Sequence, residues 1–174
     1  AAAALLSACG APRTGSPTGA WRETLNARAP RYGHRNIIAI VDSAYPSQSK
    51  PGVEMIVTGE DQLTVVRAVL ECVKNQPHVR PQVFTDAELP LVAEADAPGI
   101  TAYRDALGVM LSGAPHSSVP HEKIIATLDE TSQTFNVLLL KTNLALPYTS
   151  VSIRLECGYW SAEAEQRLRS SLAK

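Results

Sequence analysis

The first residues in this chain that suggest chemistry are histidines and carboxylates at the ends of short apolar runs. In Gly33-His34-Arg35-Asn36-Ile37-Ile38-Ala39-Ile40-Val41-Asp42-Ser43, His34 stands just before such a run and Asp42 closes it. Side chains alternate along a strand, so Ile37, Ala39 and Val41 fall on one face and Ile38, Ile40 and Asp42 on the other. Both faces are apolar up to Asp42, which predicts a strand buried on both sides, as in a parallel sheet covered by helices. A carboxylate at the end of such a strand lies at the carboxyl edge of the sheet, where open α/β sheets place their ligands. The same residues fit a plainer reading, in which Asp42 caps a turn through Ser43 and His34 is a surface residue.

Three more polar residues stand at strand boundaries or within strands. Glu54 lies among apolar neighbours in Val53-Glu54-Met55-Ile56-Val57, either as a site carboxylate or as a structural one paired with Arg or Lys. His121 follows a loop rich in Ser and Pro, and Tyr148 opens a late strand. Histidine titrates near neutrality, with an unperturbed pKa of about 6.5, so a pair of them beside carboxylates suits general acid–base work. Competing motifs fail. Neither Gly-x-Gly-x-x-Gly nor Gly-x-x-x-x-Gly-Lys-Ser/Thr occurs, and no Gly-x-Ser-x-Gly elbow is present. His121-Glu122-Lys123-Ile124-Ile125 breaks the zinc-protease spacing at its last position, and the cysteines form no Cys-x-x-Cys pair. His78 and His116, beside prolines, read as solvated loop residues.

The elements that must position these groups alternate in type. Trp21 to Ala29 reads as a short helix ending near Pro30, and Val53 to Val57 as a second strand. Thr58-Gly59-Glu60-Asp61 caps a helix carrying Leu63, Val66, Leu70 and Val73 at helical spacing. Gln82-Val83-Phe84 is strand-like, and Leu89 to Val92 is expected to continue it past a bulge. A helix from about Ala97 to Leu111 presents Ile100, Tyr103, Leu107 and Met110. Ser112 to Pro120 reads as a loop. Glu122 to Thr131 is an amphipathic helix, Phe135 to Leu140 and Val151 to Cys157 are strands, and Ser161 caps a final helix to about Leu172. Strands interleaved with helices predict a layered α/β/α domain with a largely parallel central sheet.

Composition narrows the function classes. At 174 residues the chain is one domain by length, able to bury a core without staples. Lys and Arg number 16 against 17 for Asp and Glu, and aromatics are sparse, so no nucleic-acid surface is expected. No apolar run approaches the roughly 18 residues of a membrane span. Residues 1–20 read as a signal-peptide remnant and flexible tether, and 21–174 as the folded domain. Leu6-Ser7-Ala8-Cys9 resembles a bacterial lipobox, which implies lipidation at Cys9, a membrane link only through that anchor, and an exported, periplasmic or cell-envelope lipoprotein. The alternative is an Ala-rich tail with a chance cysteine. Cys72 and Cys157 then suit either a disulfide or two buried thiols.

Taken in order, Gly33-His34, the apolar strand, Asp42-Ser43-Ala44-Tyr45-Pro46, His121-Glu122 and Pro147-Tyr148 resemble the D-ribose pyranase/L-fucose mutarotase family over about residues 22 to 158. The resemblance implies an α/β fold assembling into ring-shaped homo-oligomers, commonly decamers, with monosaccharide sites between neighbouring subunits and no cofactor. It implies catalytic roles for His34 and His121, with Asp42 contacting sugar hydroxyls and orienting a histidine, and substrate contacts from Tyr148, Ser150 and Glu54. Two positions depart from the pattern: Ile125 stands where the ribose branch has lysine, and Ser150 where the family has asparagine. Those departures leave a second expectation, a carbohydrate-binding or scaffold protein that retains the fold without turnover.

Overall fold

A computed structural model describes residues 19–172, so the segment around Cys9 lies outside the described residues. Its organising element is β1 (Ile37–Val41), whose five residues are each at most 1 % exposed. Parallel to it run β2 (Val53–Val57), β3 (Val79–Asp86), β4 (His116–Val119) and β5 (Val137–Lys141). β6 (Val151–Cys157) is inserted between β1 and β3 and runs antiparallel to both. The resulting six-stranded sheet has the order β2-β5-β1-β6-β3-β4. β1 is thus central, which is why both of its faces are apolar.

Helices cover both faces, giving the layered α/β/α arrangement. On one face Ile38, Ile40, Leu138, Leu140 and Ile153 pack beneath α1 (Ala20–Arg28), α2 (Gln62–Lys74) and α3 (Ile100–Leu111). α2 supplies Val65, Val66, Val69 and Val73, and α3 supplies Ile100, Tyr103, Leu107 and Leu111. On the other face Ile37, Ala39, Val41, Val137 and Leu139 meet Ile124 and Leu128 of α4 (His121–Thr131). Each Ile, Leu or Val among them, fully buried, contributes about 1.5–3 kcal/mol. Asp61 caps α2 by accepting from the Thr64 amide at 2.9 Å. Trp21 is buried at 2 % exposure and secures α1 to the core. Among the described residues no helix is long and apolar enough to cross a membrane.

Several expectations from sequence are corrected. Leu89–Leu91 forms a 3₁₀ turn with Pro90 near its start, not a continuation of the strand. Pro81 is instead the proline inside β3. Its neighbour in phase, Val83, points its amide toward the β4 side at Pro115, and β4 pairs only from Val83 onward, so Pro81 lacks a donor where none is required. The segment read as a loop before Pro120 contains β4, an exposed edge strand of His-Ser-Ser-Val with no apolar alternation to announce it. Cys72 and Cys157 are free, partly exposed thiols. His78 is half-buried, with its Nε2 2.9 Å from the Tyr32 carbonyl. α5 (Ala162–Leu172), capped by the Ser161 hydroxyl accepting from the Ala164 amide at 3.1 Å, buries no residue, and Tyr159 and Trp160 before it are exposed.

Candidate active site at the carboxyl edge of the sheet

Because five strands run parallel, their carboxyl ends share one edge, and β6 begins there. β3 ends on Asp86, which is wholly buried, and β4 ends at Val119, with only Pro120 between it and His121 at the start of α4. The Asp86 Oδ1 lies 2.9 Å from His121 Nδ1. The His121 backbone amide donates to both carboxylate oxygens of Glu88, each at 3.0 Å. Glu88 thereby satisfies an otherwise unpaired amide in the first turn of α4 and places negative charge at the helix's positive end. One carboxylate therefore fixes the backbone of His121 and the other fixes its ring.

With Asp86 ionised, the contact places a proton on Nδ1 and leaves Nε2 as the basic nitrogen. The His121 side chain is 29 % exposed, so that nitrogen belongs to a ring open to the surface. Burial raises the Asp86 carboxyl above its ordinary range, against the opposing pull of His121. The Ser150 amide faces the same carboxylate, yet Oδ2 is left without a hydrogen bond of normal geometry. A fully buried oxygen with no partner is costly, and together with the shifted carboxyl it makes Asp86 a candidate site residue.

Tyr148 meets His121 edge-on, with ring centroids 5.4 Å apart and planes at 89°. Its backbone adopts φ 55°, a left-handed conformation unusual for an aromatic residue. The next residue is held firmly from the other face of the sheet. The Thr149 carbonyl accepts from Tyr103 Oη at 2.9 Å and from Gln62 Nε2, while Gln62 Oε1 accepts from Thr142 Oγ1 at 3.0 Å. Burial pushes the Tyr103 hydroxyl well above its ordinary range, so it remains a donor at neutral pH. This buried network fixes the Tyr148–Ser150 segment and, through it, the ring that touches His121.

The residues singled out in the sequence divide between the two ends of the sheet. His121, Tyr148 and Ser150 gather at the carboxyl edge, and Asp42 lies on the same edge two strands from Asp86, a spacing of about 10 Å. Asp42 Oδ1 accepts from the Ala44 amide at 2.7 Å, closing the turn through Ser43 that the plainer reading describes. His34 is exposed and lies at the opposite end of β1, about 16 Å of strand away. Glu54 is also toward that amino end and binds Arg28 through both oxygens, at 2.8 and 3.0 Å. Within one chain, then, His34 and Glu54 do not join His121. Ile125 packs against the core beneath α4. Lys50 pairs with Asp129 at 2.7 Å. Asp86 and Glu88 were missed by sequence reasoning, although Val83-Phe84-Thr85-Asp86 carries the same pattern of an apolar run ending in a carboxylate that drew attention to Asp42. Among the described residues no three His, Cys, Asp or Glu side chains gather as metal ligands.

Solved structures place this architecture. The structure of Bacillus subtilis RbsD complexed with D-ribose superposes with a TM-score of 0.54 and 14 % identity, covering 90 % of this chain and all (100 %) of that one. The fucose mutarotase from Streptococcus pneumoniae in complex with L-fucose gives a TM-score of 0.49 and 16 % identity, covering 88 % of this chain and 100 % of that one. No protein-family model matches the sequence, and no curated protein matches it significantly. The chain has an RbsD-type α/β fold, the fold that the ordered motifs around His34, Asp42, His121 and Tyr148 had suggested.

Proposed function

We propose that the protein is a monosaccharide mutarotase or pyranase, which interconverts the cyclic forms of a fucose- or ribose-like sugar by cofactor-free ring opening. The observation that carries this reading is the Asp86–His121 pair at 2.9 Å, set at the carboxyl edge of an RbsD-type fold with Tyr148 against the ring. Ring opening of a hemiacetal requires removal of the anomeric hydroxyl proton and delivery of a proton to the ring oxygen. His121, oriented by Asp86, takes the first proton at Nε2. His34 of a neighbouring subunit in a homo-oligomeric ring supplies the second, since the two histidines stand at opposite ends of the sheet in a single chain. Tyr148, Ser150 and Asp42 hydrogen-bond the sugar hydroxyls. Such positioned acid–base catalysis contributes about 10²- to 10⁴-fold, or roughly 3–5 kcal/mol, which suffices for a reaction that already proceeds in water.

The test is anomeric exchange by saturation-transfer NMR against a panel of pentoses, hexoses and deoxyhexoses, with His121→Ala as the control. Acceleration of at least one sugar, lost in the variant, supports the proposal. A sugar that binds without accelerated exchange would favour the carbohydrate-binding alternative, to which Ile125 lends support because it fills with packing the position where the ribose branch carries a charge. No acceleration with any sugar removes the enzymatic reading.

A further inference from the structure

A cavity of about 220 Å³ lies between α4 and the sheet face below it, lined by neither Asp86 nor His121. Its floor follows from the strand register. Ser152 of β6 sits between Ala39 of β1 and Phe84 of β3, and Arg154, two residues on, sits between Ile37 and Gln82. Lys123 and Ile124 of α4 form the opposite wall. The floor beside Arg154 is one residue pair, or about 7 Å, farther from the carboxyl edge than Ser152. The cavity therefore runs down the sheet face away from the histidine cluster.

Its lining combines apolar surface with positive charge and no carboxylate. Ile37, Ile124 and the Phe84 ring supply the apolar part. Arg154 lies over Phe84, with its guanidinium carbon 5.3 Å from the ring centroid. Its Nε donates to Glu156 at 2.7 Å, which leaves the two terminal nitrogens without a partner among the described residues. Those nitrogens present the fork that binds a carboxylate through two parallel hydrogen bonds. Lys123 adds a second cation with no ion-pair partner among the described residues. Ser152 is only 5 % exposed, and its hydroxyl opens on the cavity without a hydrogen bond to another described residue. That hydroxyl can serve a bound anion as a further donor beside the two cations.

We propose that this cavity is a binding site for a small organic anion, a carboxylate carried on a compact apolar ring or chain. The carboxylate meets Arg154 and Lys123 with help from Ser152, and the apolar body lies on Phe84 and Ile37. The volume falls below the roughly 300–1,000 Å³ of sites for drug-sized ligands, which limits the occupant to a small molecule. The site is separate from the sugar chemistry and does not depend on it.

Benzoate and its neutral relative benzyl alcohol, titrated into the ¹⁵N-labelled full chain and followed by amide shifts, test the assignment. Benzoate should bind with shifts at Phe84, Ser152 and Ile124, and benzyl alcohol at least about ten-fold more weakly, as loss of a charge-assisted contact demands. Arg154→Met and Lys123→Met should each weaken benzoate about five-fold or more and leave benzyl alcohol unchanged. Ser152→Ala, a smaller change with its melting temperature checked alongside, should weaken benzoate as well. Equal affinity for the two probes, benzoate binding unaltered by the charge variants, or no shifts up to about 20 mM benzoate would overturn the proposal.

Discussion

Replacing Asp86 by Asn separates what the buried carboxylate does for catalysis from what it costs the fold. The side chain is nearly isosteric, so the 2.9 Å contact to His121 can persist with the amide oxygen as acceptor, but the charge is gone. A hydrogen bond to a charged group contributes about 1.5–3 kcal/mol, so its weakening predicts a loss of roughly 10- to 150-fold in exchange rate. That range stays within the total available to positioned acid–base catalysis. Stability should move the other way. Burial holds the Asp86 carboxyl above its ordinary range, so the folded chain binds this proton more tightly than the unfolded chain does. The contribution favours folding at pH below the ordinary carboxylate range and is lost as pH rises through the raised folded value. Asn cannot ionise, so it never bears the cost of a buried charge. The difference in Tm, variant minus wild type, should therefore become more positive between pH 4 and pH 7. At pH 7 the variant should be between unchanged and about 1 kcal/mol more stable, or up to about 2–4 °C in Tm. The assays are anomeric-exchange NMR on the best sugar of the panel, calorimetry at the two pH values, and long-range ¹H–¹⁵N spectra that report which nitrogen of His121 carries the proton. A variant that exchanges at the wild-type rate and melts well below wild type at pH 7 would show Asp86 to be structural and refute the reasoning.

Two other outcomes follow from the placement of residues. If the sugar site is shared between subunits, His34→Ala and His121→Ala should each be inactive with normal melting, yet mixed and reassembled one to one they should recover about a quarter of wild-type activity, because a quarter of interfaces then hold both histidines. No recovery, or full activity in His34→Ala alone, would remove His34 from the mechanism. Glu54→Gln, which breaks a solvent-screened pair with Arg28, should leave both Tm and the exchange rate nearly unchanged, a result read by thermal melting and NMR. A drop in rate of ten-fold or more at unchanged Tm would instead return Glu54 to the substrate site.

Periodicity was enough to read most of the scaffold. The doubly buried β1 was legible because five consecutive apolar residues leave no solvent face, and α2, α3 and α4 were legible because their apolar residues recur at helical spacing. β4 was not, since an exposed edge strand needs no apolar face. The turn at Leu89 was also hidden, because Leu-Pro-Leu carries the hydrophobicity of a strand while its proline sets the geometry of a turn.

The sequence by itself determined that histidines and carboxylates stand at strand boundaries, and local chemistry suffices for that. Which of them meet is a property of the sheet. Strand order places β3 and β4 at one side of β6 and lets Asp86, 35 positions from His121 in the chain, bind its ring. The same geometry sets His34 and Asp42, eight positions apart in a continuous stretch, at opposite ends of a strand, because an extended backbone carries its residues apart at about 3.3 Å each.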